Sequence, residues 1–206
     1  NTAANFPTHA AVRVEQVQGR DTLTLTGLDK LDEPPSLLTL RDFDAHEIQH
    51  MIDTAADLKA AKRSGILPRR LLGKNIALIF LKPSTRTRAA FAVAAADEGA
   101  NLEVLPPHDI RFGEKESVKD IARVLGRFFD GIVFRGFEHE RVREIAAWAG
   151  VPVWNALCDT YHPTQVLADL LTVREVFGKI RGVRLAYVGD GRNNLARSLM
   201  IGAAKM

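Results

Sequence analysis

Residues 75–88 read NIALIFLKPSTRTR. The first half, Asn75 to Phe80, is an apolar run, and the second packs a proline, three hydroxyls and two arginines into a few positions. A short apolar run closed by a proline is the pattern of a buried strand, and Ser-Thr after Pro83 is the pattern of a helix start. A strand that passes into a helix here creates an anion site. The first N–H groups of a helix lack partners, and the helix dipole adds partial positive charge at that end. Ser84, Thr85 and Thr87 add hydroxyl donors, Arg86 adds a planar fork that matches two phosphate oxygens, and Lys82 adds a point charge. No Gly-rich loop ending in Gly-Lys-Ser/Thr accompanies them, which disfavours a nucleoside triphosphate. The same residues also read as an ordinary capped helix with a solvated basic end.

Outward from this stretch, strands and helices alternate. The pattern predicts strands at 75–80, 102–105, 131–134 and 152–154, and helices at 86–98, 116–129, 138–149 and 163–178. A further helix runs from Asp44 to Gly65, with Ile48, Ile52, Ala55 and Leu58 on one face. Short apolar strands between helices of ten residues or more imply an α/β fold: a parallel sheet with helices on both faces. "VRLAYVGDG" (183–191) and the helical segment after it read as the first strand and helix of a second α/β domain. Residues 1–36, with loose alternation from Val12 to Leu25 and the breaker cluster "DEPPS" (32–36), read as a variable or partly mobile extension.

Two more polar clusters fall at predicted strand ends. "FRGFEHE" (134–140) places Arg135 just after one strand, and "YHPTQVLAD" (161–169) places His162 and Gln165 at a helix start. Open α/β sheets bind ligands outside the carboxyl ends of their strands, so the clusters converge on one expected site.

Composition narrows the classes. The 206 residues are 46% hydrophobic and 26% charged, enough for a real core in a soluble protein. Cys158 is the only cysteine, which excludes an intrachain disulfide and a Cys-based zinc site and fits a reducing cytosol. No apolar run approaches the ~18 residues of a membrane span, and the first residues show no signal pattern. A net charge of +3 is too small to argue for nucleic acid. Cys158 reads as a small buried hydrophobe, and Trp148, Trp154, Phe128 and Phe129 as core. Gly189 and Gly191 match half of a dinucleotide fingerprint, but Asn194 stands where the third glycine belongs.

"FLKPSTRTR" (80–88), "FRGF" (134–137), "HPTQ" (162–165) and "GDGRNN" (189–194), in this order, resemble the ornithine carbamoyltransferases from about residue 37 to the end. The stretch from Gly113 to Ile132 and His-Pro-Thr-Gln favour the ornithine over the aspartate branch. The resemblance implies a variable N-terminal extension at 1–36, a carbamoyl-phosphate-binding domain with its linking helix at 37–178, and the truncated start of an ornithine-binding domain at 179–206. It implies that Ser84, Thr85, Arg86 and Thr87 grip the phosphate. Arg135, His162 and Gln165 would hold the carbamoyl group and act in catalysis, and Asn194 would meet the ornithine. The implied partners are carbamoyl phosphate and L-ornithine in a cytoplasmic homotrimer of arginine metabolism, without metal or organic cofactor and without nucleic acid or membrane. Where the family usually has Gln ahead of "GEKES", this chain has Arg111, as toxin-insensitive members do, in a loop that reaches a neighbouring subunit's site. The family's Asp-x-x-x-Ser-Met-Gly and His-Cys-Leu-Pro motifs are absent from the 206 residues. A non-catalytic carbamoyl-phosphate-binding or subunit-interaction domain is the competing expectation. The last helix, with Leu195, Leu199 and Met200, is expected to expose apolar surface.

Overall fold

The computed structural model describes residues 11–17, 20–26, 35–110, 112 and 116–206, and divides the chain into units at Asn1–Pro34 and Pro35–Met206. In the first unit β1 (Ala11–Val17) and β2 (Arg20–Thr26) pair antiparallel, Ala11 opposite Thr26 and Val17 opposite Arg20. The loose alternation of 12–25 is therefore a two-stranded hairpin.

The second unit opens with a 3-10 turn (Leu40–Asp42) and α1 (Ala45–Arg63). Asp44 and Glu47 start this helix reciprocally: the Asp44 carboxylate accepts the Glu47 N–H at 2.8 Å, and the Glu47 carboxylate accepts the Asp44 N–H at 2.7 Å. Then β3 (Asn75–Phe80), α2 (Thr85–Asp97), β4 (Asn101–Leu105), α3 (Val118–Phe128), β5 (Gly131–Arg135), α4 (His139–Ala149), β6 (Val153–Leu157) and α5 (Pro163–Phe177) alternate as the periodicity predicts. The four strands form one parallel sheet in the order β4-β3-β5-β6. From β3 the chain crosses to β4 on one side, and from β5 to β6 on the other. The two directions part between β3 and β5, which opens a crevice above the carboxyl ends of those strands.

β3 and β5 read as continuous apolar runs because both of their faces are covered. Ala77, Ile79, Ile132 and Phe134 pack with Ile121 and Ala122 of α3 and with Val142 and Ile145 of α4. Ile76, Leu78, Phe80 and Val133 point the other way, where Phe91 of α2 and Trp154 close the layer. A third cluster joins Ile48 and Ile52 of α1 to Val166 and Leu170 of α5. Leu195 and Leu199 of the last helix, α6 (Asn194–Lys205), pack against that cluster, so only Met200 matches the expectation of an exposed apolar face.

Two more expectations are corrected. Residues 183–188 form no strand: Val188 is 97% exposed, with Leu185 and Tyr187 also exposed. A strand needs a neighbour's N–H and C=O groups, and no described strand lies beside this one, so its apolar residues have nothing to pair with or pack on. Phe128 and Trp148 are exposed rather than core. The Trp148 ring lies under the Lys119 ammonium, 3.9 Å from its centroid, where an aromatic face remains useful without burial.

Candidate active site

The chain after β3 turns through Lys82 and Pro83 to Ser84, the N-cap of α2. Ser84 has extended backbone, and its hydroxyl accepts the Thr87 N–H at 3.2 Å. That satisfies one orphan donor of the first turn and leaves others for a ligand. No acidic residue occupies this turn, so its positive end is not neutralised from within. Thr85 and Arg86 are exposed beside it, and Thr87 is half-buried.

Arg135 is the last residue of β5 and is half-buried. Its Nε is buried and has no hydrogen-bond partner among the described residues. Burial lowers the pKa of the guanidinium from its ordinary value, yet arginine still holds its proton at any physiological pH. A buried donor without a partner is costly, so this one is suited to an incoming oxygen.

His162 is the N-cap residue of α5, although its side chain does not cap the helix. Its backbone N–H donates to the Ser198 hydroxyl at 2.9 Å, and that hydroxyl donates to the Asn194 carbonyl at 2.9 Å. α6 thus fixes where His162 stands. The ring Nδ1 lies 3.4 Å from the Thr164 hydroxyl. Burial first, and the Arg135 charge second, hold the imidazole pKa down to about 4. The ring is therefore neutral at physiological pH and can present an N–H to a carbonyl oxygen without adding a second cation beside Arg135.

A groove of about 410 Å³ brings these elements together. Arg86, Thr87, Ala90, Phe91 and Ala94 of α2 line one wall, and His162, Thr164, Gln165 and Ala168 the other. Gln165 is exposed, and its amide donates to Asp169 one turn on at 2.9 Å. Arg135 does not line the groove, but its charge reaches His162. Asn194 stands apart: its amide donates to the Cys158 carbonyl at 2.7 Å and ties the start of α6 to the loop after β6. Cys158 is fully buried, as expected of a small hydrophobe. Arg111 lies outside the described residues. Among those residues no cluster of three or more His, Cys, Asp or Glu side chains is suited to a metal ion.

Sequence reasoning missed Thr164 and Ser198. Thr164 sits between two residues already singled out, and Ser198 is a polar residue on the apolar flank of α6, 3% exposed.

A family model described as the aspartate/ornithine carbamoyltransferase, carbamoyl-P binding domain, matches residues 36–175. The chain is 58% identical over 170 residues to "Ornithine carbamoyltransferase 2, phaseolotoxin-insensitive" of Pseudomonas syringae pv. actinidiae, covering 82% of this chain and 52% of that protein. It is 57% identical over 171 residues to the catabolic ornithine carbamoyltransferase of Bacillus licheniformis, covering 83% of this chain and 51% of that one. The solved structure of the ornithine carbamoyltransferase from Pyrococcus furiosus superimposes with a TM-score of 0.80 at 45% identity, over 82% of this chain and 53% of that one. The chain spans about half the length of these relatives. On the match over 36–175 and the shared fold, the chain belongs to the carbamoyl-phosphate-binding domain family of the aspartate and ornithine carbamoyltransferases.

Proposed function

We propose that this chain is the carbamoyl-phosphate half of an ornithine carbamoyltransferase. The observation that carries the reading is the groove that joins Arg86 and Thr87 at the start of α2 to His162 and Gln165 at the start of α5. The Arg135 charge reaches the same His162. In this reading Ser84, Thr85, Arg86 and Thr87 take the phosphate through hydroxyls, guanidinium and free helix N–H groups. Arg135, neutral His162 and Gln165 take the carbamoyl oxygen and amide. The neutral δ-amine of L-ornithine attacks the carbamoyl carbon, the bond from that carbon to the phosphate oxygen breaks, and phosphate leaves as the amine loses a proton. The product is citrulline, a step of arginine metabolism, and no cofactor takes part. Negative charge grows on the carbamoyl oxygen and on the departing phosphate, and preorganised donors at both places stabilise the transition state more than the bound substrate. Asn194 is assigned to the ornithine side, which requires its amide to leave the Cys158 carbonyl when the amino acid arrives.

The assembly reading is a cytoplasmic homotrimer in which Arg111 reaches a neighbouring subunit's phosphate site. In support, no helix among the described residues is long and apolar enough to cross a membrane, and a 58% identical relative bears a phaseolotoxin-insensitive name. Titration calorimetry of carbamoyl phosphate into the protein and its Arg86→Ala variant tests the central claim. Equal affinities sink it.

A further inference from the structure

Three loops carry the candidate site, and one side chain touches all three. Lys82 lies in the loop after β3, two residues ahead of the α2 N-cap Ser84. Its ammonium pairs with the carboxylate of Asp159, in the loop after β6 and three residues ahead of His162. The same ammonium stands 4.5 Å from the ring centroid of Phe137, two residues past Arg135. Backbone bonds knit the same rim: Leu81 N–H to the Arg135 carbonyl at 2.8 Å, Gly136 N–H to the Leu157 carbonyl at 3.0 Å, and Asp159 N–H to the Phe137 carbonyl at 2.7 Å.

We propose that Lys82 is a positioning residue whose ion pair with Asp159, over the Phe137 ring, holds the phosphate-gripping start of α2 at a set distance from Arg135 and His162. The proposal rests on the carbamoyl-phosphate reading of the groove. The pair is too exposed to matter much to stability: the Asp159 side chain is 56% accessible and that of Lys82 26%. Its work is geometric. A ligand gripped at one end by α2 and at the other by Arg135 and His162 is sensitive to the spacing between the loops, because both ends must be met at once. A cation over an aromatic face that also meets a carboxylate is held from two directions, which makes it a better spacer than either contact alone.

A direct role for Lys82 on the phosphate predicts the opposite sign at Asp159. If Asp159 merely detained the ammonium, Asp159→Asn would release it and tighten binding. Under the positioning role Asp159→Asn loosens binding, as Lys82→Met does. Titrations of carbamoyl phosphate and of inorganic phosphate are run on the wild type, Lys82→Met, Lys82→Arg, Asp159→Asn, the Lys82→Met/Asp159→Asn double variant and Arg86→Ala, with thermal unfolding of each. Each single loss at 82 or 159 is expected to weaken carbamoyl phosphate about tenfold, the scale on which groups in one network couple. The double variant should match either single. Lys82→Arg, which keeps both contacts, should stay within about twofold. Inorganic phosphate, which needs only the α2 end, should change less than carbamoyl phosphate. Tighter binding by Asp159→Asn, additive losses in the double variant, or unchanged binding by both singles overturns the proposal while Arg86→Ala still loses affinity. Arg86→Ala binding like the wild type removes the site reading and the proposal with it.

Discussion

At the scale of single residues, the candidate site works through charge and its control. Arg86 is exposed at a helix end whose first turn carries no acidic residue, so its guanidinium is placed to meet an anion. Its replacement by alanine should cost ~1.5–3 kcal/mol of carbamoyl phosphate binding, the scale of a charge-assisted hydrogen bond, measured by calorimetry. His162 makes a second, pH-dependent prediction. Its folded pKa of about 4 lies below the usual 6.5, with burial the larger cause and Arg135 the smaller. Above the unfolded value both states are neutral, and the group has no effect on stability. As pH falls from 6.5 to 4, the unfolded chain takes up a proton that the folded chain refuses, so stability declines across that window. Part of the ring meets solvent, which reduces the effect to about 1–2 kcal/mol. Denaturant melts at pH 7 and pH 4.5 should therefore show a smaller loss for His162→Asn than for the wild type. Half-buried His139, whose pKa is also lowered by partial burial, is common to both proteins and cancels from that difference. An equal loss in the two would show that His162 titrates normally.

At the scale of elements, two helix contacts set the geometry. A Cβ on Gly126 of α3 would come within 1.7 Å of the Ala149 carbonyl oxygen at the end of α4. The obstacle is backbone, so the two helices must part to admit a methyl group. Gly126→Ala should destabilise the protein by about 2–3 kcal/mol despite alanine's better helix propensity, read as a lower urea midpoint. The second contact is α6 on α5 through Ser198. Ser198→Ala leaves the His162 N–H without its acceptor and should cost ~1–3 kcal/mol of stability. Because that N–H sets the start of α5, the same variant should also bind carbamoyl phosphate more weakly. Ser198→Thr, which keeps the hydroxyl, should recover part of that affinity.

At the scale of the whole molecule, the proposed reading gives these 206 residues several candidate donors for carbamoyl phosphate and only one for ornithine. The groove between α2 and α5 has donors for a phosphate and a carbonyl. On the amino-acid side only Asn194 is assigned, and its amide is occupied by the Cys158 carbonyl. Orienting a second reactant can be worth an effective molarity of ~10⁵ M or more, so a chain that binds one substrate alone forgoes most of the rate. Such a polypeptide should bind carbamoyl phosphate and produce no measurable citrulline, read by titration calorimetry and a citrulline assay. Citrulline from the 206 residues at an ordinary ~1–10³ per second would require an ornithine site built from other residues.

The sequence by itself determined the alternation. Asn75 to Phe80, Gly131 to Arg135 and the helices after them are written in short-range pattern, which needs only the side chains' preference for covered or open faces. Ser84 as an N-cap was legible for the same local reason. Contacts between distant residues were not legible, because no periodicity encodes them. Only the tertiary structure put Ser198 under His162 and joined Lys82 to Asp159 and Phe137. It also engaged Asn194 with Cys158. "VRLAYVGDG" shows the converse: its apolar alternation is a strand only where another strand supplies the ladder, and none lies beside it among the described residues. A strand's hydrogen bonds belong to two segments of chain, whereas a helix keeps its own, so an apolar run such as 183–188 becomes a strand only where the fold supplies its partner.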